Sequence, residues 1–201
     1  MDVEPRSGAP RAAADRAGGL EALASRVREC TACPLHATRT NTVFGVGNPA
    51  TDVLFIGEAP GREEDRRGEP FVGRAGQLLN KILAAIQLRR EDVYIANILK
   101  CRPPDNRDPV ESEIRCCEKF LVEQIELIEP RIICALGRIA AQWLLRTKAP
   151  LSALRLGEHA YQGVPVLVTY HPAALLRQPQ LKRSAWEDFK KLKRILDGEG
   201  E

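Results

Sequence analysis

The stretch Asp52-Val53-Leu54-Phe55-Ile56-Gly57-Glu58-Ala59-Pro60-Gly61 decides the fold. Its first half is apolar without alternation, as a strand buried on both faces would be. Its second half stops that strand and sets a carboxylate just beyond it. Three segments of the same kind follow: Asp92–Ala96, Arg131–Leu136 and Val164–Thr169. Between them the apolar spacing changes to that of a helix. Leu79, Ile82, Leu83 and Ile86 share one face; Ile114, Leu121, Ile125 and Ile128 share another; Ala140, Ala141 and Leu144 form a shorter one. Strand alternating with helix predicts an α/β fold with a mainly parallel sheet, followed by a last helix from about Ser184 to Leu196. Ahead of the first strand, Leu20, Leu23, Ala24 and Val27 make a helical face ending at Cys30. Residues 1–19, rich in Ala, Arg, Gly and Pro, are expected to be a disordered leader, and residues 20–201 a single domain.

Ligands of such sheets bind beyond the carboxyl ends of the strands. The first strand leads to Glu58 and Ala59. The second delivers Asn97 and then Lys100-Cys101-Arg102-Pro103-Pro104; the third gives Gly137-Arg138, and the fourth ends in Tyr170-His171-Pro172. A carboxylate, a carboxamide and an imidazole thus meet at one edge of the sheet, which predicts an active site there. His36 and His159 lack that setting and read as surface residues.

Composition excludes several classes. At 44% hydrophobic and 28% charged the chain is neither collagen-like nor wholly disordered. No apolar run approaches the roughly 20 residues of a membrane span. The opening Met1-Asp2-Val3-Glu4-Pro5 lacks the features of a signal peptide, so a cytosolic protein with no membrane partner is expected. A net charge of +3 decides little, but residues 177–194 hold seven basic and two acidic side chains. Such a stretch attracts nucleic-acid phosphates, although a solvated helix face is its more ordinary meaning.

Two glycine patterns carry less than they suggest. Gly45-Val46-Gly47 precedes a strand and does not open a helix, so it is not a dinucleotide fingerprint. Gly68-Glu69-Pro70-Phe71-Val72-Gly73-Arg74-Ala75 lacks the lysine and hydroxyl of a P-loop, but its backbone N–H groups at the following helix suit an anion such as a DNA phosphate. Arg74 is a candidate DNA contact at that helix start. Phe71, in the same loop, is either core or a stacking platform for a flat ring.

Six cysteines in a cytosolic chain point to metal or redox chemistry rather than disulfides. Cys30-Thr31-Ala32-Cys33 is a C-x-x-C pair, and Cys101 and Cys117 lie downstream with fifteen residues between them. Such a set can grip one metal centre, zinc or iron–sulfur. Cys134, inside the third strand, reads as a buried filler.

Taken together these motifs resemble the family 4, iron–sulfur uracil-DNA glycosylases. The likeness rests on Cys30-x-x-Cys33, Gly57-Glu58-Ala59-Pro60-Gly61, Glu63-Glu64-Asp65, Gly68-Glu69-Pro70-Phe71-Val72-Gly73-Arg74-Ala75-Gly76, Asn97, Lys100-Cys101-Arg102-Pro103-Pro104, Cys117 and His171-Pro172-Ala173-Ala174-Leu175-Leu176-Arg177. It covers nearly the whole chain after the leader. The resemblance implies a three-layer α/β/α fold around a four-stranded, mainly parallel sheet, a 4Fe-4S cluster on Cys30, Cys33, Cys101 and Cys117, and monofunctional removal of uracil from DNA. It implies that Phe71 stacks on the flipped base, Asn97 reads its edge, His171 stabilises charge at O2, and the backbone of Glu58 and Ala59 lines the pocket. Leu175 and Arg177 would fill the gap left in the duplex.

One role departs from the pattern. The best-known branch of the superfamily carries Gly-Gln-Asp-Pro-Tyr where this chain has Gly57-Glu58-Ala59-Pro60-Gly61, and Ala59 cannot orient a water as that aspartate does. Glu64 or Glu58 is expected to take over. The Arg102–Arg107 loop has no histidine, unlike a branch that cross-links to DNA, so ordinary turnover is expected. The runner-up is a non-catalytic iron–sulfur module that binds uracil or abasic sites. A zinc deaminase is excluded by the lack of an H-x-E motif paired with a P-C-x-x-C. A monomer is expected.

Overall fold

The computed structural model describes residues 12–198. In chain order its strands are β1 (Val46–Gly47), β2 (Val53–Gly57), β3 (Tyr94–Asn97), β4 (Ile132–Leu136), β5 (His159–Tyr161) and β6 (Val164–Thr169). The helices are α1 (Ala13–Arg28), α2 (Arg62–Arg67), α3 (Arg74–Ala85), α4 (Glu111–Ile128), α5 (Arg138–Leu144), α6 (Leu151–Leu154), α7 (Pro172–Arg177) and α8 (Lys182–Leu196). The strands form one sheet in the order β1-β3-β2-β4-β6-β5. Its four central strands are parallel, as expected; β1 and β5 add short antiparallel edges.

Helices cover both faces of the sheet. Successive strand residues point to opposite sides, and in β2, β3 and β4 every position is buried. On one side Leu54, Ile56, Ala96, Ile133 and Ala135 pack under Leu121, Ile125 and Ile128 of α4 and Ala140 and Leu144 of α5. On the other, Val53, Phe55, Ile95 and Cys134 pack under Leu79 and Leu83 of α3 and Phe189 and Leu192 of α8. Cys134 is a fully buried filler there. The α3 and α4 stripes are the ones their periodicity predicts.

The disordered leader is expected over residues 1–19; residues 1–11 lie outside the described residues, and 13–19 are helical. Arg16 explains this: its buried guanidinium donates to the Ile128 carbonyl and pairs with Glu129 at 3.1 Å, pinning the start of α1 to the end of α4. A charge made that anchor, so an apolar-periodicity reading missed it.

Candidate functional site

The carboxyl ends of β2, β3, β4 and β6 open onto a cleft of about 480 Å³. Its lining includes Glu58, Ala59, Glu64, Phe71, Asn97 and His171, so every residue proposed for base binding or catalysis meets there. Pro103, Arg107, Asp108, Arg138, Ala174 and Arg177 complete its outer walls.

Asn97 ends β3 and is 1% exposed. Its Oδ1 is buried without a hydrogen-bond partner. Such an atom is costly unless something supplies a donor, and the cleft it borders is where a donor would come from. Gly57 makes this placement possible: a Cβ there would stand 2.3 Å from Asn97 Oδ1 and 2.8 Å from Phe71 Cζ.

Phe71 sits at φ 52°, a conformation bulky residues avoid at a cost of about 1–2 kcal/mol. The surroundings hold it. Arg90 donates to the carbonyls of Pro70 and Phe71. Glu64 Oε1 accepts the N–H of Val72 at 2.9 Å and of Gly73 at 2.8 Å. The Phe71 ring lies 5.4 Å from that of His171, tilted by 32°. Two N–H groups expected to await a phosphate are therefore already satisfied by Glu64, the chain's own anion. Arg74, at the start of α3, is exposed.

His171 caps α7. Its Nδ1 accepts the Ala173 N–H at 3.1 Å, which leaves the proton of the neutral ring on Nε2. Burial, with Arg177 nearby, lowers its pKa to about 4. The ring is thus a neutral N–H donor at physiological pH. Gly137 accommodates it: at φ 94° and with His171 Cβ only 2.9 Å from where its own Cβ would be, that position admits glycine alone. Glu58 is raised to about 7, first by burial and next by Asp108, against the opposing pull of Arg138 and Arg177.

The two leucines of α7 differ in exposure. Leu175, expected at the duplex, is 1% exposed and turned into the protein, whereas Leu176 is 38% exposed beside the exposed Arg177. Neighbouring helical residues point about 100° apart, and the spacing alone does not say which one faces outward.

A second pocket lies beyond the cleft. Cys30, Cys33, Cys101, Cys116 and Cys117 border it together with His36, Arg39 and Lys100. The thiols are free. Cys117 faces the core and receives the Lys100 N–H at 3.2 Å; Cys116, also at the rim, is half-buried. Burial pushes Cys117 up to about 12, so holding it as a thiolate needs nearby positive charge. Arg39 donates to Cys101 Sγ at 3.2 Å and to the Cys30 carbonyl at 2.8 Å. No carboxylate among the described residues lines the pocket. Among the described residues no group of three or more His, Cys, Asp or Glu side chains would hold a single metal ion. Four thiols from three segments, with N–H donors aimed at two sulfurs, fit an anionic iron–sulfur cluster. His36, read as a surface residue, is exposed, with Nδ1 2.8 Å from the Cys33 carbonyl. His159, read as a surface residue, is half-buried in β5 with Nε2 2.8 Å from the Leu154 carbonyl.

No helix among the described residues is long and apolar enough to cross a membrane. A family model of the uracil DNA glycosylase superfamily matches residues 44–190. The chain is 49% identical over 187 residues to a type-4 uracil-DNA glycosylase of Archaeoglobus fulgidus, covering 86% of this chain and 92% of that protein. It is 46% identical over 185 residues to the type-4 enzyme of Thermotoga maritima, covering 90% and 96%. A type-5 uracil-DNA glycosylase of Pyrobaculum aerophilum is 30% identical over 191 residues, covering 79% and 84%.

Proposed function

The chain belongs to the uracil DNA glycosylase superfamily, and we propose that it hydrolyses the N-glycosidic bond of uracil in DNA by the residues gathered in its cleft. The observation that carries this reading is the unpartnered Oδ1 of Asn97, buried beside Phe71 and His171. Uracil presents N3–H as a donor beside O4 as an acceptor, and a carboxamide complements both at once. Cytosine offers the reverse pattern, which the carboxamide in this orientation does not match. A base inside a duplex cannot reach this site and must be flipped out, to stack on Phe71.

As the glycosidic bond breaks, negative charge gathers on the uracil ring. The Nε2–H of His171, fixed by its Nδ1 bond to Ala173, is the donor toward O2. Ala59 offers no carboxylate, and Glu64 is engaged with Val72 and Gly73. Glu58, poised near neutrality in the cleft, therefore orients the attacking water, while Glu64 holds the Phe71 loop. Leu176 and Arg177 take the place expected of Leu175 and Arg177 at the vacated position, and Arg74 contacts the backbone. No lysine borders the cleft among the described residues, so a Schiff base is not part of the chemistry and strand cleavage is not expected.

Cys30, Cys33, Cys101 and Cys117 would hold a 4Fe-4S cluster, which when bound would tie together the loop after α1, the segment after β3, and α4. We take the catalytic domain to extend back to Ala13, and the enzyme to act as a cytosolic monomer on uracil-containing DNA. A uracil-containing oligonucleotide tests the function. Alkali-labile breaks and released uracil are expected; tight binding without release would leave only a binding module.

A further inference from the structure

We propose that Lys100 is a positioning residue for base recognition, locking the turn that carries Asn97 against α4. The proposal rests on the reading of Asn97 given above. Lys100 is 1% exposed, borders the cysteine pocket and does not reach the cleft. Its Nζ donates to the Asn97 carbonyl at 2.8 Å and to Gln124 Oε1 at 2.5 Å. Gln124 in turn donates through Nε2 to the Phe44 carbonyl at 3.0 Å. The carbonyl of Lys100 accepts the Val43 N–H at 2.7 Å, and its own N–H is the donor to Cys117. Cys117 and Gln124 are seven residues apart on α4, close to two turns, and so share a face.

Burying an ammonium group is expensive, and an apolar side chain of the same length would fill this space without that cost. What lysine alone supplies is a set of N–H donors that bridge two acceptors. One acceptor is the main chain of the very residue whose Oδ1 finds no partner in the protein. Asn97's carboxamide oxygen has no protein donor to aim it, so its place in the cleft depends on its backbone. Lys100 and Gln124 fix that backbone to the long helix that also carries Cys117.

The test uses the cluster-loaded enzyme and free uracil as the probe. Inhibition by uracil and affinity for an abasic-site duplex are measured for the wild type, Lys100→Met, Asn97→Ala and the double variant. Lys100→Met should weaken uracil inhibition about tenfold, the scale of a lost hydrogen bond. It should leave abasic-DNA affinity and cluster absorbance unchanged, because the backbone N–H to Cys117 survives. Added to Asn97→Ala it should cost nothing more, as expected of a residue acting through Asn97. Gln124→Leu, which removes one of the two acceptors, should act in the same direction and serves if Lys100→Met does not fold. If uracil inhibits these variants like the wild type while Asn97→Ala escapes inhibition, the proposal fails and the reading of Asn97 stands. If Asn97→Ala is also inhibited normally, that reading falls and takes the proposal with it. Additive losses, or uracil and abasic-DNA affinities falling in parallel, would make Lys100 a general support of the fold and overturn the proposal.

Discussion

His171 Nδ1 accepts the backbone N–H of Ala173 at 3.1 Å, so one bond both caps α7 and chooses the ring's tautomer. In the proposed mechanism the tautomer is the functional half of that bond, since it makes Nε2–H the donor toward the departing uracil. His171→Ala should lower single-turnover base release by about 10²–10³-fold, the range for loss of one oxyanion-type donor. Affinity for uracil-containing DNA should change far less. Rapid-quench assays with a matched binding curve measure both, and an unchanged rate would remove His171 from the mechanism.

With Glu58 orienting the water as proposed, its titration sets the pH dependence. With its pKa raised to about 7 by burial and Asp108, it becomes a carboxylate only as pH rises through that value. The single-turnover rate should therefore climb with an apparent pKa near 7 and then level off, and Glu58→Gln should be slow and flat over this range. His171, lowered to about 4, adds no second limb between pH 5 and 9. The effect on stability has the opposite sign. A carboxyl raised from an ordinary 4.5 contributes stability below that pH and loses it as pH rises through about 7. Glu58→Gln should thus be more stable than the wild type at pH 8, by about 1–2 kcal/mol after solvent screening. Denaturant melts at pH 5 and pH 8 would show a gain confined to the higher pH.

Leu175 and Leu176 separate packing from DNA contact. Leu175→Ala opens a buried cavity and should cost about 2–5 kcal/mol in stability. Leu176→Ala, at an exposed position, should leave the melting temperature in place while slowing action on duplex more than on single-stranded substrate. Only the duplex has a gap to fill after flipping. A duplex-specific defect in a stably folded Leu175→Ala protein, with Leu176→Ala unaffected, would restore the original order.

The sequence was most informative where a single physical signal dominated. Runs such as Val53–Ile56 and Val166–Thr169 are buried on both faces and declare themselves as strands. The rule that ligands sit beyond such strands then gathered Glu58, Asn97 and His171. It failed where a contact depends on which way a side chain turns. Glu64 reaching back to Val72 and Gly73, Arg39 on Cys101, Lys100 on Asn97 and Leu175 turned inward all depend on the folded path. The edges β1 and β5, two and three residues long, are too short for alternation to show. Arg16 hid the start of α1 because charged residues rarely anchor helices to a core.

The cysteines give the sharpest remaining test, because both Cys116 and Cys117 border the pocket. Exposure and hydrogen bonding separate them. Cys117 lies on the buried stripe of α4 with Phe120, Leu121 and Gln124, and the Lys100 N–H points at its sulfur; Cys116 is half-buried about 100° around the helix. An N–H donor stabilises a thiolate, and a thiolate is what a cluster ligand must be. Cys117→Ser should therefore lose the brown colour and much of the thermal stability of the loaded protein, since a cluster on the four proposed thiols would join segments far apart in the chain. Cys116→Ser should keep both. Iron and sulfide analysis beside thermal melts decides the matter: a colourless Cys116→Ser with a brown Cys117→Ser would move the ligand back by one residue, and wild-type protein carrying zinc in place of iron would remove the cluster assignment.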